Sequence, residues 1–295
     1  MDKVSRARLR VLLSMLIYGS IGVFVRQIPL PSALIAMLRG AVGAPFLLLV
    51  LALKRQRPDL KSIRPALPRL CLTGTMLGVN WILLFESYRY TTVANATLCY
   101  YLAPILLVAA SPFVFRERMT TRRLLCILAA LTGMVFVSGA AANGLPAPSE
   151  LRGLLLALAA AVLYAAIVIE NKRLHGLNPY DRTIVQLAVS ALVLLPYNLA
   201  AGNLPVPALG PRVLLLLLLV GVVHTGLAYT LYFGSMEDLP SQSLAILSYL
   251  DPVVAVLLSA LVLKEPMGPQ QILGAVLILG AALICELPEK TKGDC

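Results

Sequence analysis

Long apolar runs, separated by short polar connections, follow one another along almost the whole chain. Each run has roughly 17 to 25 residues, which as an α-helix is long enough to cross a hydrocarbon core about 30 Å thick. The connections between them are too short to hold a soluble domain. The pattern predicts ten membrane-spanning helices, which begin near Leu9, Ser32, Leu70, Val93, Leu124, Leu151, Tyr180, Arg212, Ser241 and Gln270.

The composition agrees with an integral membrane protein. Hydrophobic residues make up 59% of the chain and charged residues 13%, and the mean hydropathy of +0.85 lies far above that of soluble domains. The first apolar run continues from Leu9 to Val25 without a small-residue cleavage site. We therefore expect a retained helix there and not a cleaved signal peptide.

Positive charges divide unevenly between the two sides of the predicted helices. Of the 25 Lys and Arg residues, 19 fall on one side, five on the other, and Arg39 lies within the second helix. Because Lys and Arg accumulate in cytoplasmic loops, we expect both termini to face the cytoplasm. The net charge of +11 then reflects topology and attraction to lipid headgroups, and we expect no nucleic-acid partner.

Cofactor and metal chemistry have no support in the sequence. The five cysteines lie in or beside apolar runs, without a CxxC pair or a histidine at ligand spacing. We expect no disulfide, metal or cofactor. A membrane-embedded enzyme is a remote alternative, because GxSxG, HExxH and P-loop motifs are missing from the sequence.

Two segments of the chain, 148 positions apart, align without a gap. Residues 101–119 and 249–267 are identical at eight of 19 positions, and the offset is close to half of the 295 residues. The chain therefore looks duplicated, with five predicted helices in each half. An odd number of helices per half makes the second half enter the membrane from the opposite side, so two inverted repeats are predicted, at 9–141 and 151–287.

The paired segments YLAPILLVAASPFVFRERMT and YLDPVVAVLLSALVLKEPMG resemble the signature of the EamA-type members of the drug/metabolite transporter superfamily. Each copy has a Pro and, 13 residues later, a Glu: Pro104 with Glu117, and Pro252 with Glu265. The resemblance covers nearly the whole chain. It implies an all-α carrier of ten helices in two inverted EamA repeats, around a central cavity lined mainly by predicted helices 1, 3, 4, 6, 8 and 9.

The resemblance also implies a function, since similar proteins often export amino acids or related metabolites. We therefore expect a secondary transporter of the bacterial cytoplasmic membrane that exports a small organic solute by alternating access. Uptake, or facilitative carriage of another metabolite class, is the alternative. Protons are candidate coupling ions, membrane lipids are expected partners, and the sequence leaves open whether the protein is a monomer or a homodimer.

Asp251 is the most informative ionisable residue, because it falls about ten residues into the ninth predicted helix and so near the middle of the membrane. A charge there costs roughly 2.5 to 3.5 kcal/mol on insertion scales. The first repeat has Ala103 at the equivalent position, so the carboxylate departs from the shared pattern. Asp251 is a candidate proton carrier or partner for a substrate ammonium. The alternative is a carboxylate permanently hydrogen-bonded to a neighbouring side chain.

Pro104 and Pro252 are expected to kink their helices, because proline lacks an amide donor and crowds the carbonyl four residues earlier. In lipid, such breaks are tolerated where the helix faces protein or an aqueous cavity. A role in gating and a role in setting packing angles both remain open. Either one places these two helices in the interior.

Arg39 and Glu86 form a second candidate set, and both are predicted in the outer half of the membrane, where they could pair. Glu86 also has Arg89 three residues later, so an interfacial ion pair is the alternative for it. Arg39 matches an Arg often seen in the second helix of similar proteins. For this residue a structural pairing is favoured over substrate contact.

Polar and aromatic side chains form the third candidate set, and several are expected to line the cavity. By the 148-residue offset Trp81 matches Tyr229, so large rings recur at related positions. Ring walls suit aromatic or cationic organic solutes, although packing alone is the alternative for each ring. The set comprises Asn80, Trp81, Tyr100, Tyr101, Tyr164, His224, Tyr229 and Tyr249.

Overall fold

Helices make up the regular secondary structure of this chain. The computed structural model describes residues 3–114, 119–138, 146–174, 176–204, 209–235, 238–239 and 247–286, and none of these lies in a β-strand. The α-helices are α1 (Lys3–Arg26), α2 (Ser32–Leu53), α3 (Leu60–Ser87), α4 (Val93–Tyr100), α5 (Ala103–Val114), α6 (Thr121–Val137), α7 (Pro148–Lys172), α8 (Pro179–Ala200), α9 (Pro211–Leu218), α10 (Ala228–Phe233), α11 (Leu250–Leu261) and α12 (Pro269–Glu286). A π-helical segment, Leu219–Leu227, joins α9 to α10. The all-α prediction is confirmed.

Four of the helices begin at a polar side chain that accepts a hydrogen bond from a backbone N–H of the first turn. Such caps satisfy donors that have no partner within the helix. They set the starts of α3, α4, α6 and α8 after short polar connections. The capping residues are Asp59, Thr92, Thr120 and Asn178.

Within the described residues, seven helical stretches are long and apolar enough to cross a membrane: Lys3–Arg26, Ser32–Leu53, Leu60–Ser87, Val93–Ala110, Pro148–Asn171, Pro179–Ala200 and Pro211–Phe233. Val93–Ala110 includes α4 and most of α5, and Pro211–Phe233 includes α9, the π-helical segment and α10. Two further apolar helices, Leu250–Leu261 and Pro269–Ile284, are shorter, and α6 has 17 residues. The count of ten spans therefore stays a prediction.

Three sequence predictions fall outside the described residues. They are Glu117 of the first signature, the start of the ninth span at Ser241, and the repeat ends at 141 and 287.

Large apolar side chains remain on the outer surface of the helices. Phe113, Leu53 and Leu261 are 88%, 76% and 74% exposed. Lipid tails are as apolar as leucine, so such side chains can face the bilayer at no cost. The surface fits a chain that lies in lipid.

Both signature prolines lie where a helix begins again after a break. α4 ends at Tyr100, two turn residues follow, and α5 starts at Ala103, so Pro104 occupies its first turn. Tyr249 is the N-cap residue of α11, and Pro252 occupies the first turn of that helix. The missing N–H of proline sacrifices no helical hydrogen bond in a first turn.

Helix contacts place α2 in the middle of the bundle, against α3, α8 and the π-helical segment. α1 packs on α10 and α11, and α7 packs on α3, α4 and α5. The largest core cluster joins α2, α3, α7 and α8, among others, and contains Leu34, Leu47, Phe85 and Leu187, which are almost fully buried. α6 and α12 pack on each other, and a second core around Ile278 joins them to Leu98 and Ile105 of α4 and α5.

The π-helical segment directs two polar side chains towards neighbouring helices. Thr225 Oγ1 donates to Val220 O at 3.0 Å, and His224 Nδ1 lies 3.1 Å from Leu219 O. The other ring nitrogen of His224 lies 3.0 Å from Ser20 Oγ on α1. Helical segments of this kind are rare and are often found at functional sites.

α6 and α12 cross at two glycines. A Cβ atom on Gly274 would lie 2.6 Å from Gly133 O and 2.8 Å from Val137 N. A Cβ atom on Gly133 would lie 2.8 Å from Gly274 O. These neighbours are backbone atoms, which cannot rotate away, so this separation of the helices requires glycine at both positions.

Gly274→Ala should destabilise the protein by about 1–3 kcal/mol, because the added methyl group overpacks the crossing. The loss is expected although alanine is the better helix former. The midpoint of thermal unfolding in detergent measures the effect. Gly280→Ala is the matched control on the same helix, since a Cβ there meets no described atom within 4 Å. It should keep or raise the midpoint, and equal midpoints for the two variants would contradict the close crossing.

Candidate functional site

Asp251 links the two interrupted helices. It lies in the first turn of α11, where the helix N-terminus favours a negative charge. Its Oδ2 accepts a hydrogen bond of 2.5 Å from the hydroxyl of Tyr101, in the turn between α4 and α5. α1 passes directly beside it, since a Cβ atom on Gly19 would lie 2.5 Å from Asp251 O. The carboxylate is therefore held where three helices meet.

Arg39 is buried in α2, with 6% of its surface exposed. The guanidinium carbon lies 4.1 Å from the ring centroid of Trp81 and 5.9 Å from that of Phe85. The Nε group donates to Thr225 Oγ1 at 2.7 Å. Among the residues that the structure describes, no carboxylate lies within ion-pair distance of Arg39. Its partners are a ring and a hydroxyl group.

The two central charges act on one another without forming an ion pair. Arg39 interacts electrostatically with Asp251, and also with Tyr18, Tyr88 and His224. Charges act over longer distances in an apolar interior than in water. The interior of the bundle therefore holds a cation and a carboxylate that form no ion pair but interact electrostatically.

Several aromatic rings pack against one another across the bundle. Tyr229 lies 5.6 Å from Tyr18 between ring centroids, and it stacks on Phe233 at 5.5 Å. Tyr100 lies 5.5 Å from Tyr164. These contacts join α1 to α10 and α4 to α7, so each of them brings together rings from the two halves of the chain.

Tyr18 is a central residue that the sequence analysis missed. Its hydroxyl group is enclosed and has no hydrogen-bond partner in the described part of the chain. The match of Trp81 to Tyr229 pointed to rings in other helices, whereas α1 carries no such repeated feature. Only the contact of Tyr18 with Tyr229 reveals its position.

Two residues of the predicted aromatic and polar set contact other parts of the protein. Asn80 Nδ2 donates to Ala160 O at 2.6 Å, and its Oδ1 accepts from Tyr100 at 3.4 Å, so it ties α3 to α7 and α4. Tyr249 packs against the core between α5, α6 and α12.

Glu86 lies near the end of α3, away from the central charges. Its Oε2 accepts from Ser32 Oγ at 2.7 Å and lies 3.7 Å from Arg89 Nη1. Arg89 also donates to Leu30 O. Within the described residues Glu86 forms no ion pair with Arg39.

An ionic cluster at the end of α1 was not identified as a cluster in the sequence. Arg26 Nη1 lies 3.1 Å from Glu265 Oε1, in an ion pair without hydrogen-bond alignment. Glu265 Oε2 accepts from Val93 N at 2.9 Å and from Ser259 Oγ. Arg26 also donates to Tyr88 O. We call these residues the Arg26–Glu265 latch, because they join the ends of α1, α3, α4 and α11.

One signal for the latch was present in the sequence. Glu265 belongs to the repeated signature. Arg26, in contrast, is only one of the five Lys and Arg residues on the side of the predicted helices that has few positive charges. The two are 239 positions apart. Their contact depends on how α1 packs on α11.

Two pockets lie at opposite ends of the bundle. One, of about 340 Å³, is lined by the start of α3 and includes Asp59. Hydrogen bonds from the Ser62 side chain and the Lys61 backbone lower the pKa of Asp59. The other, of about 260 Å³, lies beside Arg26 and Arg89. Neither pocket includes Arg39 or Asp251, so the central site is inferred from its side chains and not from a pocket.

Comparison with protein families gives one match that covers most of the chain. The profile described as the EamA-like transporter family matches residues 6–139 and 151–286.

Individual relatives are also transporters by name. The chain is 31% identical to an uncharacterised transporter, YxxF, of Bacillus subtilis strain 168, over 98% of this chain and 92% of the relative. It is 28% identical to a protein named as a probable amino-acid metabolite efflux pump of Salmonella typhimurium, over 75% and 78% of the two chains. It is 29% identical to the aromatic amino acid exporter YddG of Ancylobacter novellus, over 71% and 72%.

A solved structure, described only as a protein crystal structure, shares the fold. It superposes with a TM-score of 0.63 at 22% identity, over 95% of this chain and 96% of that chain.

Removing one side of the latch should destabilise this end of the bundle. Glu265→Gln is expected to lower the free energy of unfolding by about 1–2 kcal/mol. This value lies between those for exposed and for buried ion pairs, because the side chain of Glu265 is 10% exposed and that of Arg26 38% exposed. A double-mutant cycle with Arg26→Gln, followed by thermal unfolding in detergent, isolates the coupling between the two.

The ion pair between Lys3 and Asp238 is the matched control. Its atoms lie 2.7 Å apart, but Lys3 is 77% exposed. Lys3→Gln should therefore change the unfolding midpoint little. Strictly additive effects of Arg26→Gln and Glu265→Gln would show that the latch contributes no coupling energy.

Proposed function

We propose that this chain, which belongs to the EamA-like transporter family, is a secondary transporter. It exports a small organic metabolite by alternating access. The apolar helices and the transporter relatives make it a multi-pass membrane protein. The three relatives described above are named as transporters, which favours a carrier over an enzyme. The observation that carries the proposal is the pair of separate, opposite charges inside the bundle, Arg39 and Asp251.

A substrate site between these charges fits the chemistry of the residues around it. Tyr18, Tyr229 and Tyr100 supply ring faces, and Asp251 supplies a carboxylate that has one described hydrogen-bond partner, Tyr101. Ring faces and a carboxylate suit an amphiphilic amine or an amino acid. Two relatives are named for amino-acid efflux or export, which favours this substrate class.

The helix contacts support two inverted repeats of five helices. If α4 with α5, and α9 with the π-helical segment and α10, each count as one span, the chain has five spans per half. If the two halves are exchanged, each helix takes the place of its counterpart in the other half. The contact of α1 with α11 then corresponds to the contact of α7 with α4 and α5. The contact of α3 with α8 corresponds to the contact of the π-helical segment with α2. Both members of each pair are present. We propose on this basis two repeats, at 9–141 and 151–287, around a central cavity.

The distribution of positive charge supports an orientation in the bacterial cytoplasmic membrane with both termini in the cytoplasm. The Arg26–Glu265 latch then lies at the outer end. A closed latch suits a state that is sealed towards the outside, and its opening would accompany solute release. Protons are the proposed coupling ion, with Asp251 as their carrier, and lipids surround a monomer or a homodimer.

Uptake, or facilitative transport without a coupling ion, is the alternative. The latch and the central charges serve either direction of transport. The observation that separates export from uptake is the direction of net flux, and the response to a pH gradient separates coupled from facilitative transport.

Cells that express the protein should accumulate a few related solutes outside, compared with cells that carry an empty vector. Asp251→Asn, at equal membrane abundance, should lower these solutes towards the level of empty cells, because it removes the charge that is proposed to couple export to protons. Mass spectrometry of the medium measures both. If the variant exports like the wild type, Asp251 is not part of the pathway; if neither differs from empty cells, export is the wrong direction.

Asp251→Asn should also abolish the dependence of transport on a pH gradient and leave solute exchange intact. The solute identified by the export measurement is followed in proteoliposomes, with and without an imposed gradient. Glu170→Gln is the matched control, because Glu170 pairs with Arg173 at the end of α7, away from the central charges. Gradient-driven transport by Asp251→Asn at the wild-type rate would exclude proton coupling through this residue.

A further inference from the structure

We propose that Arg39, Trp81 and Thr225 form a carboxylate-binding subsite for a ring-bearing solute. The inference deepens the proposed transport function and rests on it. It assigns to Arg39 a direct contact with the solute, in place of the structural pairing that its position in the sequence favours.

The guanidinium group of Arg39 is already fixed in orientation. Trp81 covers one face at 4.1 Å, and the Nε group is held by Thr225 at 2.7 Å. Thr225 is itself fixed by its bond to Val220 O within the π-helical segment. The planar guanidinium group is therefore held at one face by Trp81 and at its Nε edge by Thr225. Its other edge is pre-organised to bind a ligand.

The unused edge of Arg39 consists of its two Nη groups. Neither has a hydrogen-bond acceptor in the described structure, and neither is among the enclosed side-chain atoms that lack a partner. The two Nη groups are therefore not completely enclosed by the described residues, although Arg39 as a whole is 6% exposed. One N–H from each Nη group points along this edge, and these two N–H groups match the two oxygens of a carboxylate in a bidentate pair.

The charge of Arg39 is only partly compensated by the protein. A cation–π contact and one neutral hydroxyl group replace the water that the guanidinium loses, but neither carries a negative charge. An unpaired charge inside a membrane protein is costly and marks a pathway or a ligand site. A solute carboxylate would supply the missing negative charge.

Asp251 does not fill this role. Its Oδ2 accepts from Tyr101, and no oxygen of Asp251 lies within 4 Å of an Arg39 nitrogen. The rings of Tyr18 and Tyr229 give the body of the solute an apolar contact. A solute that also has an ammonium group could reach Asp251, but the subsite requires only the carboxylate.

Equilibrium binding of three matched probes to the purified full-length protein tests this proposal. The probes are 3-phenylpropanoate, phenethylamine and phenylalanine, which share a phenyl ring and carry a carboxylate, an ammonium group, or both. Wild-type protein should bind the two carboxylates. Arg39→Gln should weaken their binding at least about tenfold, as expected for the loss of a charged hydrogen-bonded pair, and should not weaken that of phenethylamine.

Arg212→Gln is the matched control, because Arg212 is exposed and donates to Gln27 at the end of the bundle. It should change no binding constant. Thr225→Val provides a second variant if Arg39→Gln does not fold. It keeps the charge and releases the Nε group, so it should weaken carboxylate binding several-fold and leave phenethylamine unaffected.

Two results would overturn the subsite. In one, Arg39→Gln and Thr225→Val weaken all three probes equally or weaken none; in the other, wild-type protein binds neither carboxylate at millimolar concentration. Flux in proteoliposomes keeps the two proposals apart. Carboxylate-selective binding without flux supports the subsite and contradicts the carrier, whereas flux without such selectivity does the reverse.

Discussion

Keeping two opposite charges apart inside an apolar bundle is the constraint on which the other features depend. Each of Arg39 and Asp251 costs roughly 2.5 to 3.5 kcal/mol to place in a membrane on insertion scales. Pairing them directly would compensate both charges and leave nothing for a solute. The structure instead gives each charge a neutral partner: the Tyr101 hydroxyl group for Asp251, and the Trp81 ring for Arg39.

These partners are positioned by departures from regular helix. Tyr101 lies in the turn that separates α4 from α5, Asp251 in the first turn of α11, and Thr225 in the π-helical segment. Backbone irregularity at membrane depth is tolerated where it is buried in protein or lines a cavity. The breaks occur in helices that pack against other helices, which allows polar side chains to approach one another without exposing backbone groups to lipid.

The helical fold and the family could be predicted from the sequence, because apolar runs and a duplicated signature are local patterns. Asp251 was identified by its difference from Ala103, which a single sequence reveals. The contact of Arg39 with Thr225 joins residues 186 positions apart and depends on the π-helical segment, which no local pattern predicts. Tyr18 and the Arg26–Glu265 latch were missed for the same reason, since they depend on how α1 packs.

α1 connects the latch to the central site. Arg26 lies seven residues beyond Gly19, or about 10 Å along the helix. Gly19 fits against Asp251 O, and Tyr18 lies beside Tyr229. A tilt of α1 that separates Arg26 from Glu265 must therefore also change the contacts around Asp251, because closely packed helices move as rigid bodies. Since α1 and α11 belong to different halves of the chain, one movement between the halves can both open the end of the bundle and loosen the site.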